Sequence, residues 1–450
     1  MPSQQKQIGW SMFLHVLHFA LAATLQLMLA RWAVDSAVFG VYVFYFSLAQ
    51  ILAILADLGI PSAALRFISR HLAFGQIDRA RRLVRRSYGM VLSSATLLGI
   101  LLVAGVWLIR GGVSNLVWVT AILIPVFGLR FMNEAWAKSQ HRTTLTLLPG
   151  GVLHPMLVMV GCLGLFGLNF GTVEAISLLL VAGCVVAVCS LVQAVWLART
   201  DVHCPEKNRC PDDELEPPND FSFRELLRVS LPMLLVAGLG IAMSQTDVIM
   251  LKWLASDAET GEYAVAVRIS WLTMLPLMAV NLLAAPTYAS LWELRDIGGM
   301  RDKGREYSVF ILLGTIPILL ILLAAGKTIL GWHGAEYVVS YIPLVIMLGG
   351  QLVNSGVGST ALLLNMTGHQ DIVAMIFAPC AILNVIANAI LIPSLGATGA
   401  AIATSVCLSI WNLALVVIIW KTLKLDTSWL NLLPGAKKRF VGQIPVFERR

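Results

Sequence analysis

Uncharged apolar runs long enough to cross a bilayer recur along most of this chain, separated by short polar stretches. A helix of about 20 apolar residues suffices for one crossing, since each residue rises 1.5 Å and the hydrocarbon core is about 30 Å thick. The runs predict spans at roughly 8–30, 37–57, 87–109, 112–130, 149–169, 175–198, 229–251, 263–286, 307–326, 338–362, 372–392 and 398–420. No charge interrupts residues 372 to 420, which is too long for one helix, and the turn-forming stretch 393–399 splits it in two. The first run is longer than the roughly 7–15 residues of a signal-peptide core, and no clear A-x-A site follows it, so it reads as a span.

Composition agrees and narrows the class. Of 450 residues, 58% are hydrophobic and 13% charged, with a mean hydropathy of +0.80. Soluble domains carry about 25% charged residues, so a water-facing surface cannot be built from this chain. The expected fold class is an all-α integral membrane protein of about twelve transmembrane helices. Little chain remains for a soluble catalytic domain.

Charge then sets the orientation. With twelve spans both termini share a side, and 27 of the 32 Lys and Arg residues fall on that side. Only Arg31, Arg110, Lys252 and Lys327 fall on the other, and Arg268 lies within a span. Basic residues mark the cytoplasmic face, so both termini of this multi-pass chain are expected in the cytoplasm. The net charge of +7 thus reads as topology and attraction to anionic membrane lipids. No nucleic-acid motif accompanies it. Cys162, Cys184, Cys189, Cys380 and Cys407 sit in spans as small apolar residues. Cys204 and Cys210, near His203, lack the spacing and the fourth ligand of a metal site, so no metal or cofactor is expected.

The chain also repeats itself. At an offset of 221, Arg31-Trp32 matches Lys252-Trp253, Ala37 matches Ala258, Gly40 matches Gly261 and Tyr42 matches Tyr263. Tyr88 matches Tyr307 at 219, and Gly171 with Ala175 matches Gly396 with Ala400 at 225. Six spans per half insert in the same sense, giving two pseudo-symmetric six-helix lobes as a parallel repeat. The expected domains are a lobe at 1–198, a cytoplasmic linker at 199–228, a lobe at 229–421 and a basic cytoplasmic tail at 422–450.

Several short motifs carry a family resemblance. The second half contains Leu383-Asn384-x3-Asn388-x2-Leu391-Ile392-Pro393-x2-Gly396-x2-Gly399-Ala400-Ala401, Gly261-Glu262-Tyr263-x4-Arg268 after a span bearing Asp247, and Gly334-x-Glu336-Tyr337. The first half contains Phe39-Gly40-x-Tyr42 and Asp57-Leu58-Gly59 before a basic stretch. Together these resemble the polysaccharide-biosynthesis flippases (Wzx-type O-antigen and exopolysaccharide translocases) of the multidrug/oligosaccharidyl-lipid/polysaccharide exporter superfamily. The resemblance implies a flippase that moves undecaprenyl-diphosphate-linked glycan from the cytoplasmic to the periplasmic leaflet by alternating access. It also implies a place beside a polysaccharide polymerase and a chain-length regulator in lipopolysaccharide or exopolysaccharide assembly.

Charged and amide residues inside spans are the candidate site. Arg268 in the eighth span and Asp247 in the seventh form either an ion pair between helices or a cationic point facing an anionic substrate. Asp57 and Arg130 lie near inner span ends, Asp57 being a helix cap or a cavity carboxylate. Asn384 and Asn388 share a helix face, suited to interhelical bonding or to a cavity wall. His15, His18 and His154 are proton- or ion-coupling candidates, because imidazole titrates near neutrality; interhelical hydrogen bonding is the plainer reading. Arg66, Arg70, Arg79, Arg81, Arg82, Arg85 and Arg86 form the densest basic region, a topology determinant on anionic headgroups or a docking surface for diphosphate, which the Arg fork suits.

No catalytic motif appears, neither a nucleophile elbow nor a P-loop nor H-E-x-x-H, so a transporter is expected rather than an enzyme. An ion-coupled multidrug and toxin extrusion pump is the alternative of the same architecture, although cationic drugs call for mid-membrane carboxylates that the spans lack. A membrane polymerase or glycosyltransferase is disfavoured by outer loops too short to hold catalytic residues.

Overall fold

The computed structural model describes residues 2–140, 142–199, 230, 234 and 245–423. Most of the 199–228 linker with His203, Cys204 and Cys210, most of the seventh span, and the tail from residue 424 lie outside the described residues. All regular elements among the described residues are helical, apart from one isolated bridge between Ala33 and Val173. In chain order they are α1 (Pro2–Trp32), α2 (Ser36–Ala56), α3 (Ile60–Ala73), α4 (Ile77–Arg110), α5 (Asn115–Ser139), α6 (Thr143–Leu147), a π-helical turn (Leu148–Leu153), α7 (His154–Phe166) and α8 (Ala175–Arg199). After a helical stretch at 245–254 come α9 (Asp257–Ser270), α10 (Leu275–Glu293), α11 (Ile297–Gly331), α12 (Tyr341–Gly356), α13 (Thr360–Met366) and α14 (Gln370–Leu423).

Ten helical stretches among the described residues are long and apolar enough to cross a bilayer. One of them, α14, supplies two of the expected spans. Its backbone leaves the helix at Gly396 (φ 54°, ψ −134°), within the expected 393–399 turn. The chain reverses there, because the Asn384 amide reaches the Thr404 hydroxyl at 3.4 Å, twenty residues on. Of the expected 229–251 span, only 245–251 runs continuously within the described residues. Large apolar side chains such as Ile100, Leu108 and Ile109 on α4 or Leu313 and Leu320 on α11 point away from the protein. Such faces are stable only against hydrocarbon.

The residues fall into two compact units, Gly9–Gly261 and Glu262–Arg450 with Met1–Ile8. The junction falls later than the linker because the 245–254 helix and the start of α9 pack on α2. Ser47 Oγ donates to Gln245 Oε1 at 2.9 Å, and α2 crosses α9 at Gly40 and Gly261, where a Cβ on either would overlap the other helix's backbone. Asp35 caps α2 by accepting from Val38 N at 2.8 Å. Ser256, 221 residues on, caps α9 by accepting from Glu259 N at 3.2 Å.

The basic stretch 59–86, expected as a loop, is instead α3 and the first turns of α4. Its apolar positions have helical spacing, and Ala64, Ile68, Leu72, Ala80 and Val84 are buried together with Trp136. The arginines occupy the opposite face. The turn joining the two helices recurs in the second unit. Gly75 N, Gln76 N and Ile77 N donate to Leu72 O, His71 O and Gly75 O, and Arg295 N, Asp296 N and Ile297 N donate to Trp292 O, Leu291 O and Arg295 O. The five-residue return bond appears twice more, from Arg142 N to Ala137 O and from His369 N to Leu364 O. It satisfies carbonyls that a helix end leaves open. The duplication inferred from scattered identities is therefore written in the hydrogen bonds.

In the second unit Tyr288, Met300, Leu363, Leu364, Leu415 and Ile419 form the core. At the far end of the first unit, Gly171 N and Val173 N donate to Arg31 O and Trp32 O at 2.8 and 2.9 Å, closing that end with backbone pairing.

Candidate functional site

Polar side chains converge in the first unit where α5 meets the π-helical turn. Arg130, Glu134 and Lys138 are spaced one turn apart on α5 and so share a face. Arg130 Nε lies 3.3 Å from Glu134 Oε1, and Lys138 Nζ lies 3.5 Å from Glu134 Oε2. One carboxylate thus serves two cations, and the group keeps a net positive charge.

The π-helical turn is shaped to fit around this group. Its proline and two glycines, Leu148-Pro-Gly-Gly-Val-Leu153, oppose a regular helix, and π turns of this kind are frequent at functional sites. A Cβ on Gly150 would lie 2.8 Å from the Arg130 guanidinium, so only glycine lets the arginine lie against the turn. On Gly151 it would lie 3.3 Å from His18 Nδ1. His18 Nδ1 sits 2.8 Å from Gly151 O. A carbonyl only accepts, so Nδ1 carries the hydrogen, and Nε2 of the neutral ring is left as an acceptor. His154 opens α7, and its Nε2 is buried without a hydrogen-bond partner among the described residues. Arg130, Gly150, His154, Cys189, Ser190 and Gln193 line a cavity of about 10 Å³, the space of one water.

Amides and a phenol hold this end in register. Tyr88 Oη donates to Asn133 Oδ1 at 2.5 Å, Asn133 Nδ2 donates to Ser190 O at 2.8 Å, and Gln193 Nε2 donates to Leu145 O at 2.7 Å. These bonds tie α4, α5, α6 and α8 together. They also place Arg85 and Arg86, within the turn that precedes Tyr88, at the same end as Arg130. Arg66, Arg70, Arg81, Arg82, Arg85 and Arg86 are all exposed, and Arg79 Nη1 lies 3.5 Å from Gln76 Oε1. Asn133, Ser190 and Gln193 were not singled out from sequence, although polar residues inside apolar runs are the signal that marks them.

The remaining candidates do not line this cavity. Asp57 ends α2 and is 4% exposed; its Oδ1 faces Gly128 and accepts no hydrogen bond among the described residues. Asp247, in the first unit, is 2% exposed, and its Oδ1 accepts from Val248 N at 2.9 Å. Arg268, in the second unit, is exposed, with its guanidinium 4.5 Å from the Trp271 ring centre. His15 is half-buried on α1 and does not line the cavity. Asn384 and Asn388 are fully buried, and Asn388 Nδ2 donates to Asn384 Oδ1 at 3.1 Å. A second amide chain, Asn412 to Asn354 at 3.0 Å and Asn354 to Gln351 at 3.2 Å, joins α14 to α12. Among the described residues no three His, Cys, Asp or Glu side chains gather as a metal site would need.

The family model for polysaccharide biosynthesis proteins matches residues 5–292. No curated protein sequence matches. Among solved structures, an inward-facing multidrug resistance MATE family transporter of the MOP superfamily is 14% identical, with a TM-score of 0.68 over 90% of this chain and 94% of that one. A MOP superfamily transporter from Pyrococcus furiosus, described as having a binding pocket of reversed polarity, is 14% identical with a TM-score of 0.61 over 93% and 96%. The lipid II flippase MurJ, in an inward closed conformation, is 13% identical with a TM-score of 0.61 over 92% and 87%. The shared fold is that of multi-pass membrane transporters.

Proposed function

Because the chain belongs to the polysaccharide biosynthesis protein family, we propose that it is a flippase for undecaprenyl-diphosphate-linked oligosaccharide, working by alternating access. The observation that carries this reading is the cationic end of the first unit. There Arg130 lies against a glycine turn and six arginines on α3 and α4 stand exposed. A diphosphate is the part of such a substrate that hydrocarbon rejects most strongly, and guanidinium groups bind two of its oxygens at once. The sugar head crosses with it while the polyprenyl chain stays in lipid.

The bias of 27 basic residues to 4 supports an orientation with this end in the cytoplasm, in a bacterial inner membrane. Transport then runs from the cytoplasmic to the periplasmic leaflet. A polysaccharide polymerase and a chain-length regulator take over the product there, in O-antigen or exopolysaccharide assembly. With no nucleotide motif in the chain, the driving force is an ion, potential or substrate gradient. His18 and His154 are the groups we assign to ion coupling.

The short connections at the opposite end, of which 167–174 is the longest between the first unit's described helices, weigh against an enzyme acting on lipid-linked sugar. The test is genetic and biochemical together. Deleting the gene is expected to abolish a surface polysaccharide and to leave lipid-linked oligosaccharide in the cytoplasmic leaflet. Unchanged polysaccharide with raised sensitivity to cationic dyes would instead make the protein a drug exporter.

A further inference from the structure

A groove of about 570 Å³ runs between α4 and α5 and shares no lining residue with the Arg130 cavity. From α4 it takes Thr96, Ile100, Val103, Ala104 and Trp107, and from α5 it takes Trp118, Ala121, Ile122 and Pro125. Each set follows helical spacing, so one face of each helix forms one wall. The helices close against each other at Gly99, where a Cβ would lie 2.8 Å from Ala121 O. Trp107 and Trp118, both exposed, belong to the lining. The Thr96 hydroxyl donates to Leu92 O at 2.7 Å, so apart from the indole N–H groups of Trp107 and Trp118 the lining is apolar.

The same face of α4 begins with phosphate-binding chemistry. Arg82, Arg85 and Arg86 precede Ile100, Val103 and Ala104 by 18 residues, which is five full turns of a 3.6-residue helix. They therefore point the same way, about 27 Å along the axis. Between them the face stays open: Gly89, Ser93 and Thr96 are exposed, and a Cβ on Gly89 would meet nothing within 4 Å. One helix face thus carries three exposed guanidinium groups, a clear track and an apolar groove.

We infer that this face holds the substrate's lipid carrier, with the diphosphate on Arg82, Arg85 and Arg86 and the polyprenyl chain in the α4–α5 groove. The inference rests on the flippase reading and specifies where that substrate's tail lies. Length selects the occupant. A chain anchored at Arg86 travels about 15 Å before it reaches Thr96, which is already half of a hydrocarbon core of about 30 Å. An ordinary acyl chain of that leaflet ends where the groove begins and one of the opposite leaflet reaches the groove without reaching the arginines, whereas a polyprenyl chain joins the two.

The test uses the full chain in phosphatidylethanolamine–phosphatidylglycerol vesicles and three photoreactive probes. These are undecaprenyl diphosphate with a diazirine midway along its chain, farnesyl diphosphate with a diazirine at its chain end, and phosphatidylethanolamine with a diazirine at the end of an acyl chain. The undecaprenyl probe is expected to label residues 96–107 and 118–125. The label should fall at least about tenfold in Ala104→Phe, which fills the groove from an exposed position. It should fall equally when Arg82, Arg85 and Arg86 are all changed to Gln. If Ala104→Phe does not accumulate, Ile100→Gln is read in its place, since an amide there is as unfavourable to a hydrocarbon chain. The farnesyl probe, whose chain is too short to pass Thr96, is expected to leave residues 100–107 and 118–122 unlabelled. Groove labelling that survives the arginine changes, or equal labelling by the phosphatidylethanolamine probe, means the groove holds bulk lipid, and the inference is lost. Undecaprenyl label confined to other helices also overturns it but leaves the flippase reading standing. No undecaprenyl label anywhere on the protein overturns both.

Discussion

Arg130 illustrates how much of a site depends on residues without functional side chains. Its position relative to the turn is set by Gly150, where a methyl group would lie 2.8 Å from the guanidinium. The far end of an arginine moves easily, so Gly150→Ala should cost less than the roughly 1–3 kcal/mol of a rigid overpacked core. Its effect should appear in transport. Membrane abundance close to that of the parent, with strongly reduced complementation of polysaccharide export, is the expected result; full complementation would remove Arg130's placement from the function. Arg130→Lys should retain part of the activity, keeping the charge while losing the planar fork. A second residue-scale prediction concerns Arg295, which holds φ 55° at the position Gly75 occupies in the first unit's turn, where φ is 69°. A left-handed backbone strains any residue with a Cβ by about 1–2 kcal/mol, and glycine recovers part of this after its own entropic cost. Arg295→Gly should therefore stabilise the detergent-solubilised protein by about 1 kcal/mol. A lowered midpoint in thermal unfolding would show that the arginine side chain contributes more than the strain removes.

Helices and turns show which features the sequence discloses. The spans were legible because hydrocarbon demands unbroken apolar runs, and the reversal in α14 was legible because 393–399 concentrates proline and glycine. The basic 59–86 stretch read as a loop because its charges mask the helical spacing of Ala64, Ile68 and Leu72, which only the buried partner Trp136 makes decisive. Arg130, His18 and His154 could each be picked as polar residues in apolar surroundings. Their meeting could not, because it depends on a π-helical turn whose register no local periodicity reveals. The close crossing of α2 and α9 gives the prediction at this scale. A Cβ on Gly40 or Gly261 would run into backbone, which cannot move aside as an arginine tip can. Gly40→Ala and Gly261→Ala should each destabilise by at least the roughly 1–3 kcal/mol of overpacking. The readout is the fraction surviving heating in detergent, and unchanged survival of either variant would show that the helices separate at little cost.

Across the whole molecule, the testable quantity is orientation. Asp78 and Asp302 are exposed in stretches that the basic residues assign to the cytoplasmic side, and Ser114 and Ala335 are exposed in stretches expected on the periplasmic side. In a background without the seven native cysteines, Asp78→Cys and Asp302→Cys should react with a membrane-impermeant maleimide only after the cells are opened. Ser114→Cys and Ala335→Cys should react in intact cells whose outer membrane has been permeabilised. The reverse pattern would invert the proposed direction of transport and move Arg130 to the periplasmic side.

Gly40 faces the chain around Asp257 and Gly261, and Gly261 faces the chain around Ser36 and Gly40; Ser36 and Asp257 are themselves 221 residues apart. Each position therefore meets its own duplicate, the signature of an isologous contact in a homodimer. Two copies of a duplicated gene ordinarily drift apart independently, each site answering only to its own surroundings. At this crossing they cannot, because the room one glycine leaves is occupied by the backbone of the other. The contact makes the two repeats interdependent, because a side chain gained at either glycine needs room that the other repeat's backbone already fills.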